Sequence, residues 1–348
     1  MPGSKENTSK RKKEHLEICL KKDVSFKYKT NGLDKYEFEH NALTETDINK
    51  IDLSSKFLQC RINYPFLISC MTGGTYESVN INKQLALAAE RLNIPIGVGS
   101  QRQALENKEF INSFKVIREY AGNVPVLGNI GAAQVAESVN PAGLIDNLAK
   151  MIDADAVVIH LNPLQELFQK APLPNFKGLL KSIEKACAKS KVPVIVKEVG
   201  AGISASAALK LINAGVKAID VAGAGGTNWA AVEMIRNKNN NEYFKDWGLT
   251  TSYCIKEIAP LKKKHKFTLI ASGGISSGAD IAKSIALGAD MAASANVLLK
   301  RAAADGADGV VELIEEWFND VKKIMFLTGA DNLKELSKVK LIKKEEMY

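Results

Sequence analysis

The chain has 348 residues, 46% of them hydrophobic and 25% charged, with a formal net charge of +8. This size and balance fit one large globular domain or two average ones, and they exclude collagen-like, coiled-coil and wholly disordered chains. No apolar run approaches the ~18 residues of a membrane-spanning helix, and the opening MPGSKENTSKRKKEH lacks the apolar core of a secretory signal.

The positive charge is concentrated at the ends. Residues 1–22 carry seven Lys/Arg against three Asp/Glu, and residues 334–348 carry five against three. A nucleic-acid binder gathers its charge on a folded face with aromatics interleaved. Charged ends point instead to solvated tails, or to an anionic small molecule gripped by the N-terminal segment. The five cysteines (Cys19, Cys60, Cys70, Cys187, Cys254) contain no C-x-x-C, as expected of free thiols in a reducing compartment.

Residues 1–60 show no clear repeat. From Pro65 onward, short apolar runs alternate with amphipathic stretches. The runs Phe66–Cys70, Ile94–Val98, Val124–Gly128, Ala154–His160, Val192–Lys197, Ala218–Ala222, Thr268–Ser272 and Asp290–Ala293 lack polar alternation, as strands buried on both faces do. Apolar residues at helical spacing predict helices over Ile81–Leu92, Leu144–Ile152, Leu179–Ala188, Ala205–Asn213, Ile281–Leu287 and Val310–Phe318. Ser204 stands where an N-cap belongs, and Gly215 and Gly288 where helix C-terminal glycines belong. Alternating strand and helix demands a parallel sheet. Eight such units predict an α/β fold, a (β/α)8 TIM barrel, typically ~250 residues long; a doubly wound open sheet is the alternative. The division expected is an N-terminal extension (1–60), the barrel (61–330) and a basic tail (331–348).

In such barrels, chemistry sits at the C-terminal ends of the strands. SGGIS (272–276) and ASANV (293–297) follow strands seven and eight, a common phosphate site. There Gly273, Gly274 and Ile275 would offer backbone amides, completed by Ala295 and Asn296. AGAGGTNW (222–229) is a second glycine-rich loop without a G-x-x-x-x-G-K-[ST] pattern, and Thr227 in it could bond a hydroxyl or remain part of a packed turn. Lys197 closes strand five. It could form a Schiff base, face the electron-rich edge of a flavin, or pair with Glu198 or a barrel-mouth carboxylate. HLNPLQE brings His160, Asn162, Gln165 and Glu166 within seven residues. Glu166 suits Mg2+ bridged to phosphates, or merely a helix N-terminus. Ser100, Gln101 and Arg102 in GSQR read as anion chemistry, with Arg11 and Lys12 as further cations. His15, His40 and His265 have no such context. No G-x-S-x-G elbow supports hydrolysis.

RKKEH, MTGG (71–74), GSQR, the Asn of GNIG (128–131), HLNPLQE, VKEVGAGIS, AGAGGTNW and SGGISSGAD together resemble the type 2, FMN-dependent isopentenyl-diphosphate delta-isomerases over residues 11–329. The resemblance implies FMN at the barrel's C-terminal face, interconversion of isopentenyl and dimethylallyl diphosphate, Mg2+, NADPH as reductant, and a cytoplasmic homotetramer or octamer. It implies FMN ligands at Cys70, Met71, Thr72, Ser100, Asn129, Lys197, Thr227, Gly273, Gly274, Ile275, Ser276, Ala295 and Asn296. The diphosphate would meet Arg11, Lys12, Ser100, Gln101, Arg102 and His160, with Gln165 near the reacting carbons and Glu166 on Mg2+. His160, Gln165 and Lys197 would form the catalytic set. Ser276 stands where the family often has Arg, and Asn296 where it often has Leu. The alternatives are an FMN-linked oxidoreductase, for which Ser272 and Ser276 stand where a His base and Arg clamp would be needed, or a non-catalytic phosphate-metabolite-binding barrel.

Overall fold

The computed structural model describes residues 8–170, 174–239 and 241–347. Eight parallel strands close into a barrel: β1 (Phe66–Ile68), β2 (Ile96–Gly97), β3 (Val126–Gly131), β4 (Ala156–Leu161), β5 (Val194–Glu198), β6 (Ala218–Asp220), β7 (Thr268–Ala271) and β8 (Met291–Ser294). Strands β8 and β1 make the closing seam, with Ala293 opposite Leu67. The eight apolar runs are thus the eight staves, and the open-sheet alternative falls. Short strands this rich in apolar residues work here because their inner faces meet in the barrel and their outer faces are covered by helices, and their polar residues gather toward the C-terminal ends.

The longer helices are α1 (Thr8–Lys21), α2 (Glu77–Leu92), α3 (Asn112–Tyr120), α4 (Pro141–Ile152), α5 (Leu179–Lys189), α6 (Ala205–Asn213), α7 (Trp229–Asn237), α8 (Thr251–Ile258), α9 (Gly278–Ala286) and α10 (Asn296–Thr328). Ser204 caps α6, its Oγ accepting from the Ala207 N–H at 3.3 Å. Helix α10 is two helices joined across Gly306, whose φ of 65° and ψ of −154° interrupt it; the predicted Val310–Phe318 lies in the second. Helices α1, α3, α7 and α8 go beyond the set that periodicity predicts.

The segments outside the barrel close its two ends. A hairpin of Ser55–Phe57 against Cys60–Ile62 plugs the N-terminal end. Its Phe57 and Ile62 pack with Leu67, Leu127, Val158 and Ile195 from the barrel interior. The stretch expected as a basic tail is structured: Leu341–Lys343 pairs antiparallel with Tyr36–Phe38. Helix α1 lies at the opposite end, where Lys12, His15 and Leu16 form part of the wall of the cavity in the barrel mouth.

Candidate active site

A cavity of about 430 Å3 occupies the C-terminal mouth of the barrel. All the candidate residues except Gln101 line it, so strand ends and α1 that are far apart in sequence meet around one space. Its far side is built for an anion. Gly273 and Gly274 have φ of 98° and 78°, and a Cβ on Gly273 would run into the backbone of Gly223. Only glycine lets the two loops approach this closely. The N-terminus of α10 opens at Asn296 without a side-chain cap, and Lys300, one turn on, lines the same end. Ser276 is drawn toward α9: its N–H donates to Asp280 Oδ2 at 3.1 Å. The Oδ1 of Asn296 and the Oγ of Ser69 are buried with no hydrogen-bond partner among the described residues. Both residues line the cavity. Orphaned polar atoms around a glycine-built cradle fit a polar, phosphate-bearing cofactor such as FMN.

On the floor, Lys197 is 8% exposed. Its Nζ donates to Asp220 Oδ2 at 3.2 Å, a partner on the neighbouring strand rather than Glu198. Glu198 turns away and accepts the N–H groups of Val199, Gly200 and Ala201 on one oxygen. Burial pushes its carboxyl up to about 7 against the pull of those bonds and of Lys197. Burial also pushes the Cys70 thiol up to about 12, so it lines the cavity as a neutral group.

His160 is fixed by Asn129. The Asn129 Nδ2 donates to Val98 O at 3.1 Å, which turns its Oδ1 to His160 Nδ1 at 2.7 Å. An amide oxygen only accepts, so Nδ1 carries the proton and Nε2 is a bare acceptor. Burial, then the charges of Lys197, Lys12 and Arg11, lower the His160 pKa to about 3. The imidazole is therefore neutral at neutral pH. Gln101 supports this arrangement from behind: its Oε1 accepts from the Asn129 N–H at 2.9 Å and its Nε2 donates to Leu148 O at 3.0 Å. The expected substrate contact of Gln101 is thereby redirected into scaffolding.

The 160–169 segment forms a tight polar cluster. Asn162 Nδ2 donates to Glu166 Oε1 at 2.8 Å and to Gln165 Oε1 at 3.2 Å, while Gln169 Nε2 donates to the same Glu166 oxygen at 3.1 Å. Among the described residues no group of three His, Cys, Asp or Glu is placed to hold a metal. A lone carboxylate fits Mg2+ only as a cation that keeps waters and bridges to substrate phosphates.

Helix α1 brings the cations. Lys12 Nζ donates to Gly73 O and Ser100 O at 2.7 and 2.5 Å. Burial, then the charge of Arg11, lowers its pKa to about 7. Arg11 donates to Gln169 Oε1 at 2.7 Å. Arg102 pairs with Glu106 at 2.8 Å.

Three further residues belong to the site: Glu233 and Asp220, on which the sequence is silent, and His15, for which the structure supplies the context that the sequence lacks. His15 faces the cavity, and its Nε2 stands 2.9 Å from Glu233 Oε1, without hydrogen-bond alignment. Glu233, fully buried on α7, accepts from Gln165 Nε2 at 3.2 Å and Arg236 Nε at 2.8 Å. Burial alone would raise its carboxyl, but the contacts with His15 and Arg236 outweigh it and hold the pKa below the ordinary value. Asp220 is the third. The i, i+4 spacing of Arg11 and His15 in RKKEH was the one available signal for His15; Glu233 and Asp220 carried none.

The sequence model for FMN-dependent dehydrogenases matches residues 4–109 and 137–343. A Pelodictyon phaeoclathratiforme protein named isopentenyl-diphosphate delta-isomerase is 46% identical, covering 97% of this chain and 98% of its own. Those of Chlorobium phaeobacteroides and of Nostoc sp. are 48% and 45% identical, over 96% and 94% of this chain. Among solved structures, a mandelate oxidase variant and a flavocytochrome b2 variant superpose with TM-scores of 0.67 and 0.71. Each is 16% identical and covers 94% of this chain, and the two matches take in 95% and 82% of those chains; they show the shared barrel. The near-full-length identity to the isomerases, together with the motifs that converge on the barrel mouth, shows that the chain belongs to the type 2, FMN-dependent isopentenyl-diphosphate delta-isomerase family.

Proposed function

We propose that this protein is an isomerase that interconverts isopentenyl and dimethylallyl diphosphate with reduced FMN. The observation that carries the reading is that a glycine-built anion cradle, the Lys197 ammonium and the His160–Glu166 cluster line one and the same cavity. When bound and reduced, FMN supplies an electron-rich ring able to exchange a proton and to stabilise positive charge developing on a neighbouring alkene.

The chain's own groups do the rest. Gly273, Gly274, Ile275, Ser276, Ala295 and Asn296 would hold the cofactor phosphate. Cys70, Met71, Thr72, Ser100, Asn129 and Thr227 would line the rest of the flavin, and Lys197 would place its ammonium against the ring. Arg11, Lys12, Ser100 and Arg102 would bind the substrate diphosphate through charge-assisted contacts. His160 enters as a neutral imidazole and takes up a proton at Nε2 as the diphosphate settles, because an anion favours the charged form. Gln165, steadied by Glu233, would orient the five-carbon chain. Glu166 would hold Mg2+ between protein and diphosphate.

The extension 1–60 then belongs to the substrate site, through α1. NADPH as reductant, a cytoplasmic location and a homotetramer or octamer complete the proposal on the strength of the family resemblance. Among the described residues no helix is long and apolar enough to cross a membrane.

The test is anaerobic product analysis. Isopentenyl diphosphate, Mg2+ and pre-reduced FMN should give dimethylallyl diphosphate over many turnovers without stoichiometric consumption of NADPH, and oxidised protein should be inactive. One NADPH consumed per product would move the protein to the oxidoreductases.

A further inference from the structure

We propose that Asp220 is a positioning residue for the flavin: it pins Lys197 from behind the cavity wall and thereby sets how far the ammonium favours the reduced over the oxidised cofactor. The inference rests on the reading that FMN occupies the cavity.

Lys197 and Asp220 are opposite each other in the β5–β6 register, so the pairing follows from the sheet itself. Lys197 lines the cavity and Asp220 does not. Asp220 is 2% exposed. Its Oδ2 accepts from Lys197, and its Oδ1 accepts from Ser272 Oγ and from the Ala222 N–H at 3.3 Å. Three strand ends thus hold one carboxylate, and that carboxylate holds the lysine.

The consequence is electrostatic. Two-electron reduction adds negative charge to the flavin ring, and a lone ammonium beside it would favour that state strongly. With Asp220 at 3.2 Å, the ammonium offers N–H donors and direction, but much of its field is cancelled. Ser272 moderates the carboxylate in turn, by donating to it.

The experiment is a dithionite titration of the FMN-reconstituted protein against a reference dye, with separate Kd measurements for oxidised FMN. Asp220→Asn should raise the preference for reduced over oxidised FMN at least tenfold, about 30 mV upward for a two-electron couple. In a Lys197→Met background the buried Asp220 has lost its counter-cation and is held as the neutral acid, so the same substitution should give no such gain. An unchanged or lowered potential in Asp220→Asn, or an equal gain without Lys197, overturns the inference. Should Asp220→Asn fail to fold, Ser272→Ala carries the test. Losing that donor makes Asp220 the stronger counter-charge, so the preference should shift the other way; an upward shift or none refutes it. Wild-type protein that takes up no FMN refutes the flavin reading and this inference with it, whereas FMN uptake with an unresponsive potential refutes only the inference.

Discussion

His160 Nδ1 donates to Asn129 Oδ1 at 2.7 Å, and that one bond decides which face of the imidazole meets the cavity. With the pKa lowered to about 3 by burial and then by Lys197, Lys12 and Arg11, the His160 resonances of the substrate-free protein should not titrate between pH 5 and 8 by NMR. Asn129→Asp puts a carboxylate against Nδ1 and should bring the titration up into that range. Stability follows with a definite sign. The unfolded chain, with an ordinary His pKa of about 6.5, binds more protons than the folded one between that value and about 3, so stability is lost as pH falls through this window. His160→Gln should flatten the loss; an unaltered acid-unfolding profile would contradict the assignment.

Lys12 titrates near neutrality, because burial and then Arg11 lower its pKa to about 7, with Glu106 opposing. Above that pH the amine must take up a proton before it can grip an anion. Each further pH unit should weaken binding by up to about 1.4 kcal/mol, roughly tenfold. Calorimetry with inorganic pyrophosphate at pH 6.5 and 8.5 should show proton uptake and a steeper loss of affinity in wild type than in Lys12→Met, which shares the ligand's own titration. Parallel pH profiles would return Lys12 to a purely structural role on Gly73 and Ser100.

Glu166 presents one oxygen to Asn162 and Gln169. Glu166→Gln exchanges a carboxylate for an amide, a poorer ligand for a hard cation. The Mg2+ concentration for half-maximal turnover should rise at least several-fold, with FMN binding unchanged. An identical Mg2+ titration would remove Glu166 from the metal.

Glu233 is the buried carboxylate beneath Gln165, shared with His15 and Arg236. Glu233→Gln removes the buried negative charge that faces Arg236 and should cost about 3 kcal/mol of stability in urea unfolding, the scale for breaking a buried ion pair from one side. It should also lower kcat more than it raises KM for the diphosphate, because Gln165 exchanges a charged acceptor for a weaker amide oxygen while the contacts of Arg102 and Lys12 are untouched. A stability change below about 0.5 kcal/mol would show that the network is slack.

The barrel itself was legible in the sequence for a local reason. A strand buried on both faces is apolar along most of its length whatever its neighbours are, so β1 to β8 announce themselves one by one, and the glycine-rich and charged stretches at their C-terminal ends mark the mouth. The family motifs lie in those same interruptions. Only the tertiary structure decided which of these residues touch. The approach of His15 to Glu233, the pairing of Lys197 with Asp220 instead of Glu198, and the turning of Gln101 behind Asn129 all depend on barrel closure and on where α1 comes to rest. The same holds for the Ser55–Ile62 hairpin that plugs the barrel floor and for the Leu341–Lys343 strand that takes in the supposed tail. Such contacts leave no periodic trace, because a buried polar group is defined by its partner, and the partner is chosen by the fold.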